Sequence, residues 1–328
     1  MSLRGKRLFS VNCTLGLACL TLCCSVSPLF GQESSTSSSG RWLAPDALVT
    51  IAPAMEPGET FQGPVDLPLV LNNPDIAWDP HYAPKSDTLA EMGRDVVFRG
   101  EVYCLEFSFK PVRMIAVDIP SFTGVQRKNV WYLLYRVRYL GGDLRPQVEP
   151  DAFGNQVFAT PQSVAAETIS TPKRFFPVFR LQVKGIDREY PDEILPAAKR
   201  AIAARERVGQ PLYDTVEIMK QSLPVTTAAG GHSLWGVATW VDVDPRTDFF
   251  AVLVQGLTNA QQLKMQGEQI EYLQKTLVLH FSRPGDTMDE MQDRIRYGIP
   301  ALEDPQRQQY ILDQFGVEKR LDHLWTYR

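Results

Sequence analysis

The chain has 328 residues, 44% of them hydrophobic and 22% charged, so it can bury a substantial core in one or two domains. Its formal net charge is −4, and this becomes −7 without the first 31 residues, which hold three basic residues and no acidic one. A chain this acidic, with no basic block, is poorly suited to the phosphate backbone, so we exclude nucleic-acid binding.

Residues 1–31 have the parts of a secretory signal peptide. MSLRGKR is basic, LFSVNCTLGLACLTLCCSVSPLF is mostly apolar, and Gly31 is a small residue suited to precede the cleavage point. We therefore expect export, to the periplasm or the cell surface. Two alternatives stay open, a retained membrane anchor and a lipid on Cys19. Contact with a membrane is expected only through residues 1–31, if they stay uncleaved.

Cysteine usage agrees with removal of this segment. Four of the five cysteines lie within residues 1–31, which leaves Cys104. A single cysteine can form neither an internal disulfide nor a cysteine metal cage. In EVYCLEFSF the surrounding residues alternate as in a strand, so Cys104 is predicted to be a small buried apolar residue.

Residues 32–95 are predicted to be a flexible, proline-rich, irregular segment. QESSTSSSG has nothing to bury, and the prolines that follow remove backbone donors and disfavour long regular elements. One short helix is predicted, over residues 87–95.

A composite β-rich domain is predicted over residues 96–328. Segments rich in β-branched and aromatic residues recur along it: VFRGEVYCLEFSF, RMIAVDI, VWYLLYRVRYL, FFPVFRLQV, SLWGVATWVDV, DFFAVLVQGLTN, KTLVLHFSR and DHLWTYR. In the third segment one side is wholly apolar, which makes it the expected core face: Trp131, Leu133, Tyr135, Val137 and Tyr139.

Helices are predicted at three places in this domain. PDEILPAAKRAIAARERV, residues 191–208, has an apolar stripe at Ile194, Ala198, Ala201 and Ile202. Its basic residues, Lys199, Arg200, Arg205 and Arg207, are typical of a solvated helix face. Short C-terminal helices are expected over residues 285–298 and 303–316, and the glutamine-rich stretch 259–274 is expected to be a short helix or a long loop.

These elements indicate a mainly β fold. Short strands bounded by turn residues, with few helices between them, favour an antiparallel immunoglobulin-like β-sandwich. The helix near residues 191–208 is an insertion in it, and the sandwich is expected to form one composite domain rather than two.

The stretch WVDVDPRTDFF contains three aspartates, Asp242, Asp244 and Asp248, which are the candidate metal ligands of the chain. A strand through Val241 and Val243 would place Asp242 and Asp244 on one face, before a loop of about four residues and a second strand. A calcium loop needs six or more oxygen ligands and usually a glycine at its bend. The stretch has no glycine and contains Arg246, so a turn is favoured over a cation site.

No other motif indicates catalysis or a cofactor. GHSLWG resembles the nucleophile elbow G-x-S-x-G around Ser233, but Trp235 stands where the last glycine should be. The histidines lack the spacing of a zinc site: His81, His232, His280 and His323. No glycine-rich phosphate loop is present. We therefore assign no catalytic, cofactor or metal residue.

Four segments together resemble a family of secreted proteins from planctomycete bacteria: CLEFSFKPVRMIAVDIP, VWYLLYRVRY, WGVATWVDVDPRTDFFAVLVQGLTN and KTLVLHFSRPGD. The resemblance covers roughly residues 95–285 and implies export, but it carries no catalytic signature and no functional residue. WYLLYRVRYLGG is also similar to a core strand of immunoglobulin-like sandwiches.

The expected function is that of an exported cell-envelope protein, a non-enzymatic module that binds or scaffolds another envelope protein or a polysaccharide. The alternatives are a secreted hydrolase and a sugar-binding module. An enzyme would show a pocket with clustered acids or histidines of shifted pKa, and a binding module would show exposed aromatic residues on the folded body.

Overall fold

The computed structural model describes most of the chain from residue 47 onward. The predicted signal peptide at residues 1–31 and the predicted helix at 87–95 lie outside the described residues. The described ranges are 47–62, 98–121, 124–146, 149–150, 156–157, 161–163, 171–185, 188–227, 231–244, 247–266, 269–283 and 295–328.

The first sheet is built around its longest strand, β6 (Gly124–Arg138). One edge of β6 pairs with β5 and then with β4, and its other edge pairs with β14. Strand β1 extends the sheet beyond β4, and β13 extends it beyond β14 in a short parallel pair; the other pairs are antiparallel. The bounds are β1 Val49–Ile51, β4 Glu106–Phe109, β5 Arg113–Ser121, β13 Leu212–Tyr213 and β14 Leu234–Trp240.

The second sheet is built around β17 (Gln269–Ser282), and its described pairs are antiparallel. Its order is β12, β11, β15 and β17, with β16 paired to the first half of β17 and both β18 and β19 on the far edge. The bounds are β11 Val178–Val183, β12 Arg188–Pro191, β15 Phe249–Gln255, β16 Gln261–Gln266, β18 Arg296–Tyr297 and β19 His323–Tyr327.

The described ranges also contain smaller elements outside the two sheets. Three short antiparallel pairs join β2 (Phe61–Gln62) to β3 (Phe98–Arg99), β7 (Leu144–Pro146) to β10 (Pro161–Ser163), and β8 (Glu149–Pro150) to β9 (Gln156–Val157). The helices in these ranges are a 3-10 turn at Pro57–Thr60, α1 Pro196–Glu206, α2 Thr215–Ile218 and α3 Pro305–Phe315.

The two sheets pack face to face through aromatic side chains. Tyr135 of the first sheet lies 4.8 Å from Phe179 of the second, and Trp131 lies 5.3 Å from Phe250, both between ring centroids. The predicted core face consists of every second residue from Trp131 to Tyr139, and all five of these residues belong to this core. The prediction of a mainly β, antiparallel sandwich is confirmed.

Helix α1 starts five residues later than the sequence predicts. Pro191 is the last residue of β12, and the helix begins at Pro196 because 192–195 form an extended link between the sheets. The predicted stripe holds at Ala198 and Ile202, which are buried against Val130 and Tyr132 on the outer face of the first sheet.

Two further predicted elements need correction. The glutamine-rich stretch 259–274 is a β-hairpin of β16 and β17, because apolar and polar residues alternate in QQLKMQ as in a strand. Most of the predicted helix at 285–298 lies outside the described residues, and Arg296–Tyr297 within it form β18. The predicted helix at 303–316 is confirmed, with Asp304 as its N-cap.

Part of the predicted flexible segment belongs to the folded body. Strand β1 pairs with β4, and the following turn places Glu59 beside Lys275 of the second sheet. Both side chains are at most 5% exposed, and the hydroxyl of Tyr327 also donates to Glu59 at 2.5 Å. These contacts join the described residues 47–62 to the two sheets.

Candidate functional site

The aspartate stretch crosses from one sheet to the other. Strand β14 ends at Trp240 in the first sheet, and β15 begins at Phe249 in the second, so the connection is twice as long as predicted. Asp242 has a left-handed backbone (φ 55°), which ends the strand before it could align Asp242 with Asp244. A turn still lies within the connection, because the amide of Thr247 donates to the carbonyl of Asp244 at 3.1 Å.

The three aspartates do not converge. The Asp242 carboxylate is 69% exposed and forms an ion pair with Lys128 at 2.8 Å. The amide of Asp244 donates to the Tyr190 hydroxyl at 3.3 Å, and the carbonyl of Asp248 accepts from the amide of Arg283 at 2.7 Å. Within the described ranges, no three His, Cys, Asp or Glu side chains are arranged to hold a metal ion.

Ser233, in the motif that resembles a nucleophile elbow, does not have the position that an elbow requires. Ser233 comes before β14, whereas the nucleophile of an elbow follows a strand and precedes a helix. The neighbouring His232 ring lies 3.1 Å from the carbonyl of Ser222. His280 is buried, and its Nδ1 donates to the carbonyl of Leu321 at 2.7 Å. His81 lies outside the described residues.

Cys104 is buried, as its sequence context predicts. Burial raises the pKa of its thiol to about 11, so the thiol is protonated at neutral pH and is a poor nucleophile.

A polar cluster at one end of the first sheet contains two acids and a lysine. Lys173 Nζ lies 3.0 Å from Glu101 and 3.2 Å from Asp143, and the Tyr139 hydroxyl donates to Asp143 at 2.5 Å. Burial raises the pKa of Asp143. Burial also acts on Glu101, but hydrogen bonds from Arg145 and Lys173 outweigh it and lower the pKa of Glu101 to about 2. The charged groups are paired with one another, so the cluster ties the segment around Lys173 to the sheet.

A groove of about 340 Å³ lies on the outer face of the first sheet, beside the C-terminal end of α1. Its volume is within the range of small-molecule binding clefts. Leu134 of β6, Trp235 of β14 and Lys110, which follows β4, supply its floor, and the chain that follows α1 supplies one wall. Its lining includes Lys110, Leu134, Glu206, Arg207, Gln210 and Trp235.

Glu206 holds the side chain of Lys110 in place within the groove. Its carboxylate is 1% exposed and accepts hydrogen bonds from Lys110 Nζ and Arg113 Nη1, each at 2.8 Å, and from Tyr132 Oη at 2.7 Å. Burial alone would raise the pKa of Glu206, but these three hydrogen bonds outweigh it and lower the pKa below its ordinary value. Glu206 therefore stays ionised at neutral pH and holds the Lys110 ammonium in place.

Trp235 is the aromatic residue of the groove, and it is partly exposed. It faces outward because alternate residues of β14, such as Leu234 and Trp240, face the core. The guanidinium of Arg136, directly opposite on β6, lies 5.9 Å from the Trp235 ring centroid, within the range of a cation–π contact. The ring is thus held against the sheet.

Two other groove residues have unused polar groups. Arg207 and Gln210 are exposed, and neither side chain makes a hydrogen bond or an ion pair with the described residues. Arg207 is the C-cap of α1, and its left-handed backbone (φ 50°) turns the chain toward Gln210. The basic residues predicted as a solvated face thus divide: Lys199 pairs with Asp214 and Glu217, whereas Arg207 lines the groove.

No motif in the sequence indicates this groove. Lys110 and Glu206 are 96 residues apart in the chain, and no local motif joins them. The one usable signal was the alternation in SLWGVATW, which places Trp235 and Trp240 on opposite faces of their strand.

The fold and the groove define a β-sandwich protein with a partly aromatic, polar cleft on one sheet face. The chain matches no protein-family model, no curated protein and no solved structure. None of the helices in the described ranges has the length and hydropathy needed to span a bilayer.

Proposed function

We propose that the protein is an exported, non-enzymatic binding module of the cell envelope, and that the groove on the first sheet is its ligand site. The observation that carries this proposal is the combination of the partly exposed Trp235 with Arg207 and Gln210, whose polar groups have no partner among the described residues. Aromatic rings with a few placed polar groups are the usual lining of a binding cleft.

The geometry around Ser233 and Cys104 favours binding over a secreted hydrolase. Ser233 precedes its strand, and the thiol of Cys104 is buried and protonated, so neither is activated as a nucleophile. The acid of the groove, Glu206, is occupied by three donors. A carboxylate held in this way positions its neighbours and is poorly placed to transfer a proton.

Export and the immunoglobulin-like strand order stay predictions. The basic and apolar parts of residues 1–31 support export, and the resemblance to secreted planctomycete proteins agrees with it. The two-sheet sandwich supports the broader architecture to which immunoglobulin-like domains belong.

Binding is tested by co-sedimentation of the purified full-length chain with insoluble wall polysaccharide from the native host. We expect the parent chain to be retained in the pellet and both Trp235→Ala and Gln210→Ala to be retained clearly less. Gln210 is exposed, so its substitution removes little packing. Tyr310→Ala is the matched control, since Tyr310 is an aromatic residue, 59% exposed, on α3. Equal retention of all four proteins would overturn the assignment of the groove.

Export is tested on protein isolated from the native host. Amino-terminal sequencing should give a start near Gln32 in the periplasmic or surface fraction. Soluble cytoplasmic protein that begins at Met1 would contradict export.

A further inference from the structure

Positive charge is concentrated around the groove. Among the described residues that line the groove or form ion pairs with Glu106 and Glu206, five cations accompany these two carboxylates. The cations are Lys110, Arg113, Arg136, Arg138 and Arg207, and the carboxylates are Glu106 and Glu206. This local excess contrasts with the net charge of −4 for the whole chain.

The two carboxylates are shared between cations. Glu106 accepts from Arg138 at 2.6 and 2.9 Å and lies 4.0 Å from Arg136, while Glu206 binds both Lys110 and Arg113. The Nε of Arg136 is buried and has no hydrogen-bond partner in the described part of the chain. In these four ion pairs, four cations share two carboxylates.

The other end of α1 has the opposite balance. There the ammonium of Lys199 lies 2.8 Å from Asp214 and 2.6 Å from Glu217, so one cation is matched by two acids. The excess of positive charge is thus a property of the groove end of the helix. A basic cleft with partly desolvated walls raises the local concentration of anions.

Arg207 is the group best placed to receive such an anion. It lines the groove, it is exposed, and it has no partner among the described residues. A guanidinium presents two parallel N–H donors that match a carboxylate, and Lys110 in the same groove supplies a second positive charge.

The rest of the groove suits a sugar ring. Trp235 offers an apolar surface to the C–H groups of a pyranose, and the Gln210 amide has both donors and an acceptor for hydroxyl groups. A polymer with one carboxylate on each ring has a much lower charge density than a nucleic acid, which carries one charge per about 1.7 Å of duplex. The acidic remainder of the chain therefore repels it less.

The geometry points to a uronic-acid polysaccharide as the ligand, with one sugar ring against Trp235 and its carboxylate on Arg207 and Lys110. This inference rests on the proposed function and specifies its ligand.

The test is isothermal titration calorimetry on the full-length chain, at low and at high salt. The probes are an oligogalacturonate, a neutral cello-oligosaccharide of equal length, and poly-L-glutamate. We expect the oligogalacturonate to bind best, and salt to weaken it. Arg207→Gln should reduce its affinity about tenfold, the effect of losing one charge-assisted hydrogen bond. Arg200→Gln, the same change at an exposed position of α1, should have no effect.

The possible results separate this inference from the proposed function. Equal affinity for the neutral oligosaccharide would overturn the acidic ligand and leave the binding module standing. Equal affinity for poly-L-glutamate would overturn the saccharide, because the groove would then recognise charge alone. If no probe binds but Trp235→Ala still reduces co-sedimentation with wall polysaccharide, only the uronic-acid inference fails. If the groove substitutions change neither co-sedimentation nor the affinity measured by calorimetry, both proposals fail.

Discussion

Gly236 lies directly opposite Tyr135 in the antiparallel pair of β14 and β6, and a Cβ atom at Gly236 would fall 2.3 Å from Cζ of the Tyr135 ring. Tyr135 is fully buried between the sheets and lies 4.8 Å from Phe179, so its ring has no room to withdraw. Packing against Tyr135 therefore explains Gly236 in GHSLWG, and no role in a catalytic elbow is required.

Gly236→Ala should destabilise the protein by about 1–3 kcal/mol, the usual cost of overpacking a core. Chemical denaturation of the two proteins measures this difference. Gly209→Ala is the control, because a Cβ there meets nothing within 4 Å. A stability for Gly236→Ala equal to that of Gly209→Ala would contradict the close packing of Tyr135.

Glu59→Gln should destabilise the protein strongly, because it leaves the Lys275 ammonium buried without its counter-charge. Removing one partner of a buried ion pair costs about 3–5 kcal/mol. Asp118→Asn breaks a pair in which both side chains are more than 60% exposed, so it should change stability little. Similar losses for the two variants in denaturant would show that the segment around Glu59 is not docked in solution.

His280 should make the protein less stable as the pH falls. Burial lowers the pKa of His280 from its ordinary 6.5 to about 4, despite the hydrogen bond to Leu321. Between pH 6.5 and pH 4 the unfolded chain therefore binds a proton that the folded chain does not, and the free energy of unfolding decreases as the pH decreases. The full effect across this window is about 3 kcal/mol.

His280→Gln removes the titrating group, so its unfolding free energy should depend less on pH between 6.5 and 4 than that of the parent chain. Denaturant melts at several pH values measure the difference. His232→Gln is the matched control, because His232 is exposed. An unchanged slope for His280→Gln would mean that another group governs acid stability.

Local patterns predict most of the strands and the core face of β6, but not β16 and β18. The alternation from Trp131 to Tyr139 is a property of neighbouring residues, and all five residues of the predicted core face lie in the core between the sheets. Tyr132 on the opposite face is buried as well, because helix α1 covers it. The sequence predicts the start of α1 at Pro191, which is wrong. Pro-Asp-Glu suits a first helical turn as well as it suits the end of a strand and the link after it.

Long-range placement was not predictable from one sequence. The turn signal after Trp240 is the same whether the next strand returns to the same sheet or crosses to the other one, and here it crosses. The groove depends on contacts between Lys110, Glu206 and Trp235, which lie far apart in the chain. Such contacts follow from topology, and hydrophobic periodicity does not encode them.

Calcium should not stabilise the protein through the aspartate stretch. Asp242 is paired with Lys128, and the left-handed backbone at Asp242 prevents it from lining up with Asp244. A ligand that binds only the folded state adds about 2.7 kcal/mol at a hundredfold excess over its Kd. For a weak extracellular type of site, with a Kd on the order of 10⁻⁴ M, about 10 mM calcium would reach that excess.

The measurement is the melting temperature in calcium and in a chelator, for the parent chain and for Asp244→Asn. We expect equal values in all four conditions, because three aspartates that do not converge supply too few oxygen ligands for the ion. A calcium-dependent rise of several degrees in the parent chain that is lost in Asp244→Asn would require the aspartates to rearrange into a metal loop.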